Sequence, residues 1–188
     1  MSNLLLFSGP AVEPVTIAEA KAFLRLDTAD DDALVAAAIV AARQACESFT
    51  GRALITQSWQ LYLDHWPERD ITLPRPPLQS VTSIKTFDAD GVGATLDPAT
   101  YWVDASALPG RVRRRSDAVW PSPGRDVAGI EVTFVAGYGD SWNDVPQSLR
   151  QGILMTVANF YEYRDALHPV TLPAPIGALW QPYRLVRL

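Results

Sequence analysis

The stretch of sequence that decides the fold class, residues 130–163, reads IEVTFVAGYGDSWNDVPQSLRQGILMTVANFYEY. Residues 130–136 are the clearest strand in the chain, and the glycines at 137 and 139 end it. From Val145 to Tyr163 the apolar residues recur at helical spacing, with Asp144 predicted as the N-cap. A strand followed at once by a long helix of a different character predicts an α+β protein.

Two further helices are predicted near the N-terminus, within residues 16–50. Thr16 and Glu19 have the spacing of a capping box, which starts the first helix. The second helix begins at the acidic run Asp30-Asp31-Asp32, whose charge suits the positive end of the helix dipole. Gly51 is placed to end it in a left-handed conformation.

These patterns predict a helical bundle core made of the two N-terminal helices and the long C-terminal helix. An antiparallel, β-rich region is inserted between them, with a turn at Asp88-Ala89-Asp90-Gly91. The predicted boundaries are 1–52 and 141–165 for the helical core, 53–140 for the insertion and 166–188 for an extended C-terminal arm. The arm is predicted to be extended because prolines recur along it.

The C-terminal helix is apolar over most of its circumference, since Arg150 and Glu162 are its only charged residues between Val145 and Tyr163. A helix of this kind must be covered on more than one side, which favours burial against another subunit. The predicted subunit interface consists of Leu149, Ile153, Leu154, Val157, Phe160 and Tyr161.

Large apolar residues persist in the predicted arm although its prolines disfavour a helix. A segment of this composition is typical of one that docks onto a partner. The residues predicted to bind that partner are Leu172, Ile176, Leu179, Trp180, Tyr183, Arg184 and Leu185.

Charge and composition limit the classes of partner. The chain has 188 residues and a formal net charge of −5, whereas proteins that hold nucleic acid by neutralising its phosphates are usually basic. No apolar run approaches the roughly 20 residues of a membrane span, so no membrane partner is predicted. The single cysteine, Cys46, cannot form an internal disulfide, and a reducing cytoplasm is expected. One local basic patch stands out as a possible contact for an acidic partner or for passing DNA: Arg111, Arg113, Arg114 and Arg115.

No constellation of catalytic, cofactor-binding or metal-binding residues is found, so the protein is predicted not to be an enzyme and to need no cofactor. The two histidines, His65 and His168, lie in different segments, and neither a nucleophile elbow nor a phosphate-binding glycine loop is present. Two alternatives remain: a hydrolase acting through either histidine, or a non-catalytic accessory module that grips a protein or glycan through Trp59, Trp102 and Trp120.

An ordered set of segments across residues 15–165 resembles the head–tail connector (adaptor) proteins of tailed phages, in the sub-family with a β insertion. The same proteins occur in phage-derived gene transfer agents. The segments are VTIAEAK (15–21), FLRLD (23–27), DDAL (31–34), FTGR (49–52), LPRPPL (73–78), FVAGYG (134–139) and VPQSLRQ (145–151).

The resemblance implies a structural role without catalytic residues. Adaptors of this kind form a ring of about twelve subunits beneath the portal protein, although the isolated protein can be a monomer. The ring joins the portal to the next neck protein, a stopper or tail-completion protein, and surrounds the channel through which DNA passes without sequence-specific binding. The implied location is the neck of a virion or particle assembled in the bacterial cytoplasm.

Overall fold

The computed structural model describes residues 2–163 and 173–185, and over these ranges the protein is α+β, with four α-helices and two antiparallel sheets. The predicted fold class is confirmed at this level. The chain divides into two compact units. The first, which contains Met1–Pro10 and Thr56–Tyr138, holds both sheets, and the second, which contains Ala11–Ile55 and Gly139–Leu188, holds the helices.

The larger sheet is built around β8 (Ile130–Ala136), the strand predicted most clearly from the sequence. It pairs antiparallel with β2 (Gln57–Leu63) on one side and β4 (Leu78–Phe87) on the other, while β1 (Ser2–Ser8) and β5 (Gly93–Thr95) form the edges. Its central position explains why the alternate side chains of β8 are fully buried: Ile130, Val132, Phe134 and Ala136.

The smaller sheet has three strands, with β7 (Gly110–Arg114) between β3 (Asp70–Leu73) and β6 (Tyr101–Asp104). Its central strand approaches the larger sheet closely at Gly110. A Cβ atom at this position would lie 2.5 Å from the Cβ of Leu78 on β4, so only glycine fits there.

Local signals place the first two helices, α1 (Ile17–Leu24) and α2 (Asp32–Thr50). The predicted capping box is confirmed, because the Thr16 hydroxyl accepts from the Glu19 N–H and the Glu19 carboxylate accepts from the Thr16 N–H. Gly51 ends α2 with φ 74°, a left-handed conformation that glycine adopts without strain.

The C-terminal residues differ from the sequence-based prediction. α3 (Gln147–Glu162) packs against α2, but residues 174–180 form a short helix, α4 (Ala174–Trp180), which packs against α3 instead of extending away. Pro173 is the N-cap of α4 and Pro175 lies in its first turn, where a missing N–H costs nothing, while Pro182 comes after the helix has ended. The predicted extended arm is therefore wrong for these residues.

The structure also differs from the sequence-based prediction at the start of the chain and at the start of α3. Residues 2–8, placed with the helices from the sequence, form β1, whose Leu4 and Leu6 lie opposite Leu61 and Trp59 of β2. An apolar run this short has no helical period to distinguish it from a strand. Asp144 does not cap α3: Pro146 takes that position, and the Asp144 carboxylate accepts from the Ser141 N–H in a preceding 3-10 turn.

α2 is long and apolar enough, by length and composition, to cross a membrane. In this unit it is instead a packed helix, with its inner side against α3. Its two interior charged residues lie on the buried side, where Arg43 bridges Glu47 and Glu13 and the Glu47 carboxylate also accepts from the Leu54 N–H. The buried charges are therefore paired, as a low-dielectric interior requires.

A second ionic contact joins α1 to α3 through Glu19 and Arg150. The Arg150 guanidinium binds the Glu19 carboxylate and donates to the Pro14 carbonyl at 2.9 Å. Burial alone would raise the pKa of the Glu19 carboxyl, but hydrogen bonds from Thr16 and Arg150 outweigh it and hold the pKa below its ordinary value.

Because this pKa is depressed in the folded state, ionised Glu19 stabilises the fold above the ordinary glutamate range, and the contribution is lost as the pH falls through the folded-state pKa. We expect Glu19→Gln to lower the free energy of unfolding at about pH 7 and the deficit to shrink at about pH 3. Urea denaturation at both pH values measures this. Glu162→Gln, at an exposed position, is the control, and a Glu19→Gln deficit that is equal at both pH values would contradict the account.

Candidate partner-binding surfaces

The six α3 side chains predicted to form a subunit interface fall into two groups. Leu149, Ile153 and Val157 are fully buried in the helical unit, where α2 and α4 pack against α3. The prediction is wrong for these three, because the chain itself covers them once α4 is folded back. The other three are half-buried: Leu154, Phe160 and Tyr161, whose hydroxyl donates to the Asp31 carboxylate.

The residues predicted to bind a partner through the arm also divide. Ile176 and Trp180 are buried, and the Trp180 indole N–H donates to the Leu149 carbonyl at 3.3 Å. Gly152 makes room for that ring, since a Cβ there would lie 2.2 Å from the indole nitrogen. These two side chains are thus anchors of α4 within its own chain.

The remaining residues of the segment lie closer to its surface. Leu179, Tyr183 and Leu185 are half-buried, Arg184 is exposed, and Leu172 lies outside the described residues. The Arg52 side chain donates to the Tyr183 carbonyl at 2.6 Å, and the Leu185 N–H donates to the Thr50 carbonyl at 2.9 Å. Residues 183–185 are therefore tied to the end of α2.

The outer face of α2 is the most unusual surface of the helical unit, because it carries no charge. Its charged side chains Arg43 and Glu47 point inward, which reverses the usual arrangement of a surface helix. The exposed residues of this face, which we call the α2 outer face, are small or apolar with one amide: Ala33, Leu34, Ala37, Ala41, Gln44 and Ser48. Small side chains allow a second helix to approach closely.

The predicted basic patch is largely occupied by contacts within its own sheet. Asp70 accepts two hydrogen bonds from Arg113, and Arg111 pairs with both Asp70 and Asp104. Arg115 lies over the ring of Trp102, with its guanidinium carbon 3.6 Å from the ring centre, and Arg114 donates to the Ala118 carbonyl. Hydrogen bonds lower the pKa values of both aspartates: the largest cause at Asp70 is the hydrogen bond from Arg113, and the largest at Asp104 is the hydrogen bond from Ser106.

A cleft of about 760 Å³ opens beside this patch in the sheet unit, and we call it the aromatic–arginine cleft. Its wall is formed by Trp66 and Trp120, whose ring centres are 4.4 Å apart. The Trp66 indole N–H donates to the Pro121 carbonyl at 2.8 Å, which fixes that ring. The cleft is lined by Trp66, Pro67, Glu68, Arg69, Arg113, Arg114, Val119 and Trp120.

The edge strand β1 forms another apolar surface of the sheet unit. Leu5, Leu6 and Phe7 are all exposed, and residues 2–8 contain neither a charge nor a proline. Natural edge strands are usually protected by short length, charge or proline, because an unprotected edge pairs with other chains. β1 has none of these protections.

The tryptophans proposed for an accessory binding module are not brought together. Trp59 is buried on β2, Trp102 is exposed on β6, and Trp120 packs on Trp66 and Tyr101. His65 is exposed just beyond the end of β2, and His168 lies outside the described residues.

Within residues 2–163 and 173–185, no group of three or more His, Cys, Asp or Glu side chains could hold a metal ion. Cys46 is fully buried in α2, and burial raises the pKa of its thiol well above the usual range, which makes the thiol unreactive.

Sequence reasoning missed three of these surfaces for different reasons. The sequence does indicate the α2 outer face, because the only charged residues between 33 and 48, Arg43 and Glu47, lie on the side of the helix that the structure buries. The exposed β1 edge had a weak signal, the uncharged run LLLF at residues 4–7. The aromatic–arginine cleft had none, since its two tryptophans come from distant loops that only the fold joins.

Comparison with known proteins gives a consistent family and fold. The chain matches the model of the head completion protein family over residues 13–171. No curated protein sequence matches it at a significant level. Among solved structures, it is similar to a chain in the "virion of native gene transfer agent (GTA) particle", with a TM-score of 0.81 and 28% identity, covering 98% of this chain and 96% of that one.

Two further matches come from particle necks. A chain in the "neck of empty GTA particle computed with C6 symmetry" has a TM-score of 0.81 and 29% identity, with 100% of this chain and 97% of that chain covered. A chain in the "neck of native GTA particle computed with C12 symmetry" has a TM-score of 0.77 and 27% identity, with coverage of 98% and 97%. Because the family model spans most of its length, the chain belongs to the head completion protein family.

Proposed function

We propose that this protein is a non-catalytic structural component of the neck of a phage or gene transfer agent particle, where it joins the capsid to the tail. The family match and the similarity to chains of gene transfer agent necks support this role. In this proposal it assembles onto the portal protein at one capsid vertex, in the bacterial cytoplasm, and the next neck protein binds on its other side.

A ring of identical copies is the second part of the proposal. The neck chain of 27% identity comes from a map computed with C12 symmetry, which supports a ring of that order for this chain. The observation that carries the ring contact is the uncharged α2 outer face, because a helix whose mid-helix charges, Arg43 and Glu47, are buried has an outer face suited to another protein. The bundle of α1, α2 and α3 is then the body of the ring. When one surface of each copy binds a different surface of the next copy, the copies form a closed ring if the rotation between neighbours permits.

The remaining surfaces fit the other partners. The C-terminal segment is proposed to contact the portal or a neighbouring subunit. The residues proposed for this contact are half-buried Leu179, Tyr183 and Leu185, exposed Arg184, and Leu172. An acidic chain whose Arg111 and Arg113 are already paired with aspartates suits a channel that lets DNA slide instead of holding it.

Changing the α2 outer face tests the ring contact. Ala37→Glu with Ala41→Lys leaves the net charge unchanged, and the pair has the i,i+4 order that favours a helix. We expect the variant to fold normally but to weaken each subunit contact by roughly 2 kcal/mol or more, because charged groups would be buried at a close-packed face. Particles produced with it should contain the protein in strongly reduced amounts, measured by quantitative mass spectrometry of purified particles.

The matched control is Ala37→Ser with Ala41→Ser, which keeps the face small and uncharged and should be incorporated normally. Normal incorporation of the charged variant would show that the α2 outer face is not a subunit contact. Circular dichroism and urea denaturation of both variants establish that any loss arises in assembly and not in folding.

A further inference from the structure

The aromatic–arginine cleft is a concave surface of the sheet unit. The contacting rings of Trp66 and Trp120, tilted by 46° to each other, form its wall, and Val119 at its mouth is 87% exposed. A concave surface that combines aromatic rings with arginines is typical of protein-binding sites, where both residue types are enriched.

The charge of the cleft is opposite to that of the whole chain. Its lining contains three arginines and one glutamate, in a protein of formal net charge −5. Asp70 neutralises Arg113, but Arg114 donates to a carbonyl group, which leaves its charge in place. Arg69 is exposed and has no ion pair with any residue in the described part of the chain. The cleft therefore favours an occupant that combines an apolar side chain with carboxylates.

The loop between α1 and α2 has this combination. Phe23 is 42% exposed beside it, and Asp27 and Asp30 are exposed without a hydrogen bond or ion pair to another described residue. Asp31 binds Tyr161 and Asp32 binds Lys21, so Asp27 and Asp30 are the aspartates available to a partner. Residues 25–32 carry one arginine and four aspartates, so the loop is acidic overall.

We propose that the α1–α2 loop of one copy, through Phe23, Asp27 and Asp30, docks in the aromatic–arginine cleft of the next copy. The inference rests on the ring proposed above and names one of its contacts. The occupant is a second copy because both complementary surfaces belong to this chain. The loop also leads directly into the α2 outer face, whose Leu34 is 38% exposed. Since the two surfaces differ, the contact is heterologous and repeats around a ring.

Cysteine cross-linking in assembled particles tests the contact. A full-length variant with Ala29→Cys and Val119→Cys places one thiol on the loop and one at the mouth of the cleft, both at exposed positions. Native Cys46 does not interfere, because it is fully buried. Mild oxidation should give a series of covalent species from dimer upward, whereas either single variant should give no such series.

The matched control combines Ala29→Cys with Val127→Cys, which is 74% exposed on the same loop of the sheet unit but does not line the cleft. It should give no series. If the Ala29→Cys, Val119→Cys protein is present in particle necks but is not cross-linked, or forms only an internal disulfide, the inference is overturned while the neck role stands. Absence of the unmodified protein from necks would instead overturn the proposed function.

Charge reversal supplies a second readout, at positions that have no hydrogen bond or ion pair to another described residue. Arg69→Glu or Asp30→Lys alone should lower the yield of cross-linked species about tenfold, and the two together should restore it, since they exchange the signs of one pair. If Asp30→Lys fails to rescue Arg69→Glu, and Arg69→Glu instead reduces DNA retention by the particle, the cleft binds nucleic acid and the inference is overturned.

Discussion

Replacing Gly152 with alanine should destabilise the helical unit by about 1–3 kcal/mol, although alanine is the better helix former. The new Cβ would lie 2.2 Å from the indole nitrogen of Trp180, the last residue of α4, whose side chain is fully buried. The ring must move, and with it go the hydrogen bond to the Leu149 carbonyl and the packing of Trp180 on Phe49, whose ring centres are 5.9 Å apart. Urea denaturation followed by circular dichroism measures the effect.

A double-mutant cycle makes this prediction specific. Trp180→Ala alone should cost about 3–5 kcal/mol, because it empties a fully buried site. In that background Gly152→Ala should become stabilising by up to about 1 kcal/mol, since the clash is gone and only the helix propensity remains. Additive effects of the two substitutions would show that Trp180 does not pack on Gly152.

The same contact explains which parts of the fold could be predicted. α1 and α2 follow from local signals, the Thr16–Glu19 capping box and Gly51, and the structure confirms both. α4 could not be predicted in this way, because it depends on a tertiary contact: a short proline-containing segment becomes helical where Trp180 and Ile176 find a buried site on α3. β1 was missed for the same reason, since its pairing with β2 joins residues that are distant in sequence.

The binding surfaces could not be predicted from the sequence where the prediction required knowing which side chains other parts of the same chain bury or pair. The apolar character of α3 indicated a partner, but α2 and α4 of the same chain pack against α3, and Leu149 and Ile153 are fully buried in the helical unit. With α4 packed on α3, the uncovered surface is on α2, whose alanines allow another helix to approach closely but are not among the predicted interface residues. Likewise, Arg111 and Arg113 form a basic run in the sequence, whereas in the structure Asp70 and Asp104 partner them.

The largest effect on function is expected from removing the protein. In the proposed role it is the physical link between two preassembled parts, so no other chain should substitute for it. Particles assembled without it should accumulate as separate heads and tails, and joined particles should be lost almost completely. Supplying the Gly152→Ala, Trp180→Ala double variant should restore joining only to the extent that the helical unit remains folded, which links the stability measurement to assembly.

The central claim is that this chain joins head to tail in the neck of the particle. Electron microscopy of particles produced with and without its gene, with the intact gene returned as a control, tests that claim most directly. The account predicts unjoined heads and tails in its absence, joined particles when it is returned, and density for a ring of its copies in the restored necks. Joined particles with complete necks in its absence would contradict the account.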